Sequence, residues 1–377
     1  MNKKLHILFL CGWYPSKELP TNGDFIERHA KAVNLIHKVS ILHIISSQKV
    51  PNSIIEETHN NNFHTYIGYV KQTNNPILKF IRFFKMYLKI LKKIDSFDLV
   101  HLNILYPFGV FALHQKIVKR KPFVISEHWT GYHFPQAEKI SFFEKSISKS
   151  ISKRASFSCP VSSHLESSML NLGLKGNYLP IPNVVDTQLF KPLHEKEKKF
   201  TIVHVSSLKN EHKNISGILK AAKIVETEIP NCTWNFIGGK EDPFTEEMIQ
   251  LGLNATYINF IDHLTQEELT PYLQNAAVFV LFSNYENLPC VILESFACGI
   301  PVISTNVGGI SEYFPENFGA FVPKNNSEEL AATIKEIHDN PINKPEEMHR
   351  YAVENFSNET IAKQFSAIYY KALKITH

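Results

Sequence analysis

Residues 283–312 read SNYENLPCVILESFACGIPVISTNVGGISE, and this stretch decides the fold. It begins where the apolar run Val278–Phe282 ends, a length and composition that suit a buried strand. A helical pattern follows. It is then broken by Gly299, and Pro301–Ser304 reads as the next strand. Strand, helix and strand in this space make a βαβ unit of a parallel sheet. Pro289 is expected in the first helical turn, where its missing N–H costs nothing, with Asn287 as the cap. Glu286 then lies in the loop before the helix and Glu294 within its second turn. On an unbroken helix the two would be roughly 80° out of phase at about 100° per residue, but the loop frees Glu286 to turn inward. Two carboxylates can then meet one polyhydroxylated ligand at different points.

The same rhythm extends outward from this stretch. Leu5–Cys11, Val39–Ile45, Leu99–Leu102, Phe123–Ser126 and Phe157–Pro160 are short apolar runs separated by helical patterns. A segment holding Pro180, Pro182 and Pro192, then the charged stretch 194–199, interrupts them. Strands resume at Phe200–Ser206, Thr233–Ile237 and Tyr257–Ile261. The reading is two doubly wound α/β units in tandem. Asn358–Leu373 reads as a terminal amphipathic helix with Ile361, Phe365, Ile368 and Tyr369 on one face. Open parallel sheets bind ligands beyond the carboxyl ends of their strands, so the loops after strands carry the function.

Composition narrows the class. The 377 residues suffice for two or three domains, and 44% hydrophobic with 20% charged residues excludes disordered, collagen-like and coiled-coil chains. A formal charge of +4 is too small to imply nucleic acid. The longest apolar run, Ala276–Phe282, is far below the roughly 18 residues that a spanning helix needs. Leu5–Cys11 superficially resembles the apolar part of a signal peptide, but no small-residue cleavage site follows, and it is read as the first strand. Five scattered cysteines without CxxC spacing suit neither a disulfide framework nor a zinc site, and fit a reducing cytoplasm. No DxD-type cluster, His/Cys cage or phosphate-binding Walker loop stands out, so neither a metal nor another cofactor is expected.

Helix starts after strands favour phosphate or sugar oxygens. Gly308 and Gly309, before ISEYF, either let backbone approach such a ligand or simply make a turn. Taken in order, Glu286 and Glu294 (E-x7-E), Gly299 with Pro301 and Val302, then Gly308, Gly309 and Glu312 resemble the signature of the retaining nucleotide-sugar glycosyltransferases of family 4. Outside this stretch the resemblance takes in Gly23 in TNGDF, His128 after FVIS, PNVVD (182–186) with Phe190, Lys213 after VHVSSL, and Gly238 with Gly239 after WNFI.

The resemblance implies the GT-B fold, two Rossmann-like domains facing across a cleft. It implies an acceptor-binding domain over 1–191, a nucleotide-sugar domain over 192–357, and a helix over 358–377 that packs back on the first. Glu286 would lie against the donor sugar, supported by the N–H groups of Asn287 and Leu288. Glu294 would hold the ribose, and Lys213 the diphosphate, neutralising charge as the glycosidic bond breaks. His128 would sit near the reaction centre, Gly23 by the diphosphate or the acceptor, and Gly238 with the donor; Asp24 is read first as a helix cap. The resemblance also implies that no metal is required. Two positions depart from the family. Ser207 stands where many members carry an arginine, with Lys209 the nearest substitute, and Val184 replaces a hinge glycine, which argues against a positive φ there.

Between Pro76 and Lys93 lie Lys79, Arg82, Lys85, Lys89, Lys92 and Lys93 and no acid. On a helical wheel they occupy one side, while Phe80, Ile81, Phe83, Phe84, Tyr87, Leu88, Ile90 and Leu91 occupy the other; only Leu78 and Met86 break the partition. This fits an anionic membrane surface, or a core helix with a solvated basic back. No aromatic stacking platform accompanies the stripe, so nucleic acid is not expected. The function read from all this is a cytoplasmic glycosyltransferase, peripheral on the inner face of the plasma membrane. Its donor is a nucleotide sugar and its acceptor a glycan or a lipid-linked intermediate. A non-catalytic GT-B protein that only binds the nucleotide sugar, an epimerase or a phosphorylase are the alternatives.

Overall fold

The computed structural model describes residues 3–193, 195 and 199–374. Of the charged stretch 194–199, therefore, His194, Lys196, Glu197 and Lys198 lie outside the described residues. The chain forms two compact units, one of residues 1–184 with 358–377, the other of 185–357.

The first unit is built on a seven-stranded sheet. Its strands are β1 (His6–Cys11), β2 (Lys38–Ser47), β3 (Ile54–Asn60), β4 (Phe63–Lys71), β5 (Leu99–Asn103), β6 (Phe123–Glu127) and β7 (Phe157–Pro160), in the order β3-β4-β2-β1-β5-β6-β7. All pairings are parallel except β3 with β4. Every residue of β1 is buried, as a central parallel strand requires, because helices cover both faces. In register across the middle, Cys11 stands between His43 and Asn103. On one face the helix Asp24–Asn34 packs with Ile26, Ala30 and Val33 into a core closed by Ile361, Phe365, Ile368 and Tyr369 of the terminal helix Asn358–Leu373.

The β3–β4 hairpin has no counterpart in the pattern of apolar runs. Its outer strand, IIEETHN, is largely exposed and polar, so it carries no burial signal, and pairing with β4 alone makes it a strand. Asn61 makes the turn at φ 48°, a left-handed conformation that asparagine tolerates.

The second unit holds a six-stranded sheet of β8 (Thr201–Val205), β9 (Thr233–Ile237), β10 (Ile258–Ile261), β11 (Val278–Leu281), β12 (Val302–Thr305) and β13 (Gly319–Val322). The order is β10-β9-β8-β11-β12-β13, all parallel. The order runs outward in both directions from β8 and β11, the doubly wound pattern. β13, four residues and partly exposed, is again set by pairing rather than by its own composition. Residues 185–191 belong to this unit, ahead of the boundary read at Pro192. Val185 bridges to Ser357 and its N–H donates to the Phe356 carbonyl at 2.9 Å, while Gln274 donates to the Lys191 carbonyl at 2.8 Å.

Two expected caps are corrected. The helix after β11 starts at Cys290, with Pro289 itself in the cap position at ψ 125° and Asn287 outside the helix. A residue before proline is pushed to extended backbone, so Leu288 could not be helical, and the carbonyl of Asn287 accepts the N–H of Gly309 at 2.8 Å instead. In the first unit Gly23, at φ 76°, caps the helix that begins with Asp24. Asp24 is therefore the first helical residue, paired with Arg28 one turn on at 2.8 Å. Val184 is not among the residues at positive φ, a conformation its branched side chain disfavours.

Candidate functional site

The loops after β8, β9, β11 and β12 share the carboxyl edge of the second sheet. Polar residues there are tied to one another. The loop after β11 is stitched to the short helix Asn210–Lys213 by Asn284, whose N–H donates to the His212 carbonyl at 2.8 Å and whose side-chain amide donates to the Glu211 carbonyl at 3.0 Å. This stitch brings Lys213 to Glu286, 73 positions apart in sequence, where the ammonium donates to Oε1 of the carboxylate in an ion pair. Ser283 donates to the same oxygen at 2.8 Å, and Thr305 at the end of β12 donates to the Ser283 carbonyl at 2.6 Å. Glu286 is 8% exposed and so is held by a serine, a lysine and the strand behind them.

Behind Lys213 lies His204 of β8. It donates from Nδ1 to the Val280 carbonyl at 2.9 Å and shares a 2.7 Å hydrogen bond with Ser206 through Nε2. Burial pushes its imidazole down to about 4; the bond to Val280 opposes this and the charge of Lys213 adds to it. It is neutral at pH 7. Ser206 accepts the N–H of Leu208, which bends at φ 51° into the turn that leads to Lys209. Ser207 and Lys209 are exposed, and Lys209 caps the short helix through its carbonyl, which accepts the N–H of Lys213 at 2.8 Å.

Two glycines are demanded by close backbone approach. A Cβ on Gly308, at φ 62°, would lie 2.1 Å from the Glu286 carbonyl oxygen, and one on Gly238, at φ 111°, would lie 2.1 Å from that of Ser206. Both contacts are impossible without moving the loop that carries a site residue. Gly308→Ala is expected to destabilise the second unit by roughly 1–3 kcal/mol and to displace Glu286. Urea melts check this, and a loss below 0.5 kcal/mol, roughly the limit for substitutions that disturb nothing, counts against the constraint.

Asn287 and Leu288 are buried in the segment just before the helix, and Glu294, 1% exposed, is the helix's fifth residue. Glu286, Lys213, Gly238, Asn287, Leu288 and Glu294 all belong to this unit and to the loops or helix starts beyond its strand ends.

His128 and Gly23 belong to the first unit. A Cβ on Gly23 would stand 2.7 Å from the Trp13 carbonyl carbon, so the glycine lets the long loop after β1 close on itself. His128 follows β6. Its ring packs against Phe25, with centroids at 4.6 Å, and against His29 at 5.3 Å. Burial holds it well below its ordinary value, His29 and His101 push the same way, and a hydrogen bond with Asn183 opposes them. A neutral imidazole that accepts or donates one hydrogen bond is the form available at pH 7.

The sequence did not single out Ser283, Thr305, Ser206 or Glu127, the polar residues that fix these loops. The signal that could find them is a polar side chain at the last position of a buried strand or just beyond it, where apolar residues would be expected. Among the described residues no group of three or more His, Cys, Asp or Glu is arranged to hold a metal ion.

Comparison with known proteins gives two family models that together run along most of the chain: Glycosyltransferase Family 4 over residues 31–189 and Glycosyl transferases group 1 over 185–355. The chain is 25% identical over 289 residues to the putative teichuronic acid biosynthesis glycosyltransferase TuaC of Bacillus subtilis, covering 74% of this chain and 70% of that protein. It is 28% identical over 218 residues to one of the subunits of phosphatidylinositol N-acetylglucosaminyltransferase from Arabidopsis thaliana, 56% of this chain and about half of that protein, 48%. In structure it resembles sucrose-phosphate synthase from Thermosynechococcus elongatus, with a TM-score of 0.77 at 18% identity, covering 99% and 100% of the two chains. Anabaena HepE, solved in complex with UDP and glucose, superposes with a TM-score of 0.73 at 16% identity, covering 97% and 99%. These likenesses show the two-unit GT-B fold.

Proposed function

The chain belongs to glycosyltransferase family 4, and from that premise we propose that it moves a sugar from a nucleotide diphosphate to a hydroxyl acceptor with retention of anomeric configuration. The observation that carries the reading is the Lys213–Glu286 pair, held at the carboxyl edge of a parallel sheet next to a helix start. Such an edge is where open sheets receive nucleotides. Glu286 accepts hydrogen bonds from donor-sugar hydroxyls, Glu294 from the ribose, and the N–H groups of Asn287 and Leu288 donate to the same sugar. As the bond from the anomeric carbon to the diphosphate oxygen breaks, its electron pair leaves with the diphosphate. An acceptor hydroxyl oxygen forms the new bond to that carbon, and its proton leaves with the diphosphate. Lys213 compensates the charge that builds on the leaving group, with Lys209 beside it in place of an arginine at 207. His128 and Gly23 serve the reacting sugar and the acceptor, and the charge is met by these groups without a metal. That HepE binds UDP and glucose supports a uridine-type donor as the first to assay. Nucleotide release from a panel of nucleotide sugars, with and without candidate acceptors, tests the reading. No release from any donor refutes it.

The acceptor side is proposed to be a lipid-linked or surface-polysaccharide intermediate, with the protein on the cytoplasmic face of a membrane. No helix among the described residues is long and apolar enough to cross one. The support comes from the helix Pro76–Leu91, started by Asn75, whose side chain accepts the N–H groups of Ile77 and Leu78 at 3.0 Å. Of this helix only Met86, Tyr87 and Ile90 are buried, Met86 from the side that the wheel gives to the basic residues, and Tyr87 stacks on Phe111 at 4.6 Å. Ile77 and Phe80 are 71% and 51% exposed, and Ile81 and Leu88 are exposed too. A core helix would not leave its first two turns so bare. Lys85 and Lys89 are exposed beside them. Each basic residue near an anionic surface contributes about 1 kcal/mol. Lys85→Glu with Lys89→Glu should therefore weaken flotation with anionic liposomes by more than tenfold. Equal flotation of the two forms removes the membrane reading.

A further inference from the structure

We infer that Glu127 is a positioning residue that sets the backbone and ring of His128 for the transfer proposed above, a reading on which this inference rests. Glu127 is the last residue of β6 and has no solvent exposure. Its Oε1 accepts the N–H of His128 at 2.8 Å and that of Trp129 at 3.0 Å. Its Oε2 accepts the N–H of Leu105 at 2.9 Å, in the loop after the neighbouring β5. Tyr132 hydrogen-bonds to the same carboxyl, and the Glu127 carbonyl accepts the N–H of Val161 beyond β7 at 3.2 Å. One residue therefore ties the loops after three adjacent strands.

A buried carboxylate is costly unless several donors meet it, and a strand needs no carboxylate to end. Here three of the donors are backbone N–H groups, and two of those belong to His128 and its successor. Hydrogen bonds to an ionised acceptor are the strong and short ones, so the carboxylate fixes the backbone of His128 more tightly than a neutral side chain can. The rings of Phe25 and His29 then confine the imidazole from the sides. The direction in which His128 presents a nitrogen is set by Glu127 below it and by these rings beside it.

Glu127→Gln tests the assignment. It keeps the volume, but its NH2 group must face either the Leu105 N–H or the pair from His128 and Trp129, donor against donor. The expected result is a kcat at least tenfold lower, with KM for the nucleotide sugar, which is held by the second unit, changed less than threefold. In a His128→Ala background Glu127→Gln should lower kcat by less than a further twofold, because both changes remove one effect. In ring-labelled histidine spectra the His128 resonance, identified by its loss in His128→Ala, should shift in Glu127→Gln while that of His204 stays. Multiplicative losses in the double variant, or an unshifted His128 resonance with wild-type kcat, overturn the inference. Absence of transfer by the wild-type chain refutes the proposed function instead, and the resonance comparison, which needs no turnover, still decides whether Glu127 sets the ring. Should Glu127→Gln not fold, Glu127→Asp, which keeps the charge but withdraws it by one methylene, is read in the same way.

Discussion

Lys213→Ala and Glu286→Ala are each expected to lower kcat about 100-fold, since removing one electrostatic partner of a developing charge costs roughly that much. The pair makes a sharper statement than either residue. Glu286 is nearly buried, and removing Lys213 leaves Ser283 as the side chain among the described residues that still donates to its carboxylate. Breaking a buried pair on one side is destabilising by about 3 kcal/mol, whereas removing both partners costs less. Lys213→Ala should therefore melt earlier than the double variant Lys213→Ala with Glu286→Ala, even though the double variant is the less active. Saturating nucleotide sugar should narrow the gap, because in Lys213→Ala the donor sugar's hydroxyls meet the carboxylate that the lysine has left. A rate within threefold of wild type in either single variant would remove that residue from the mechanism. Single and double variants of equal stability would show that the ion pair is not coupled in the folded protein.

Acid should destabilise the first unit before most of its carboxylates protonate. His29, His37 and His43 are buried in it, and burial pushes each down to about 4 from an ordinary 6.5. Their partners bind the neutral ring: His29 donates to the Pro182 carbonyl at 3.2 Å, His37 accepts the N–H of Leu5 at 3.2 Å and bonds Ser366 at 2.9 Å, and His43 donates to the Cys11 carbonyl at 2.8 Å. A group whose folded value is lowered binds fewer protons folded than unfolded. Its contribution to stability is complete above pH 6.5 and is lost as the pH falls towards 4. Each histidine loses about 1.4 kcal/mol per pH unit in that window, so the three together lose about 4 kcal/mol between pH 7 and 5.5. For a unit of this size that lowers Tm by about 10 °C. His101 and His128 are held lower still and act in the same direction. Glu127, raised by burial, acts in the opposite one, a single group against several. Calorimetry at pH 7.5 and 5.5 decides the matter; a first-unit transition that moves by less than 3 °C rejects it. Because His37 meets Ser366 and His101 shares a 2.6 Å bond with Tyr369, the terminal helix should loosen with the same pH dependence in hydrogen exchange.

The strands illustrate what could be read in advance. Phe157–Pro160 and Thr233–Ile237 lie where their runs put them, because a strand buried on both faces draws mostly on apolar residues and such a run is visible locally. The hairpin Ile54–Lys71 was not legible, since its outer strand is solvated and owes its form to a neighbour. The exposed first turns of Pro76–Leu91 are another such case. The wheel separated basic from apolar residues, but only packing shows which apolar residues have something to rest on.

Residue order was enough to establish the two wound sheets, the helix and loop signature from Glu286 to Glu312, and the family to which they belong. These depend on spacing along the chain, which local backbone preference and hydrophobic periodicity write directly into the amino-acid sequence. It took the folded arrangement to establish that Lys213 meets Glu286, that Ser283 and Thr305 hold the carboxylate in place, and that Glu127 gathers the N–H groups of separate loops. Those partners lie on different strands, and whether a polar group is satisfied or stranded depends on which side chains the packing delivers to it, a quantity with no period in the sequence.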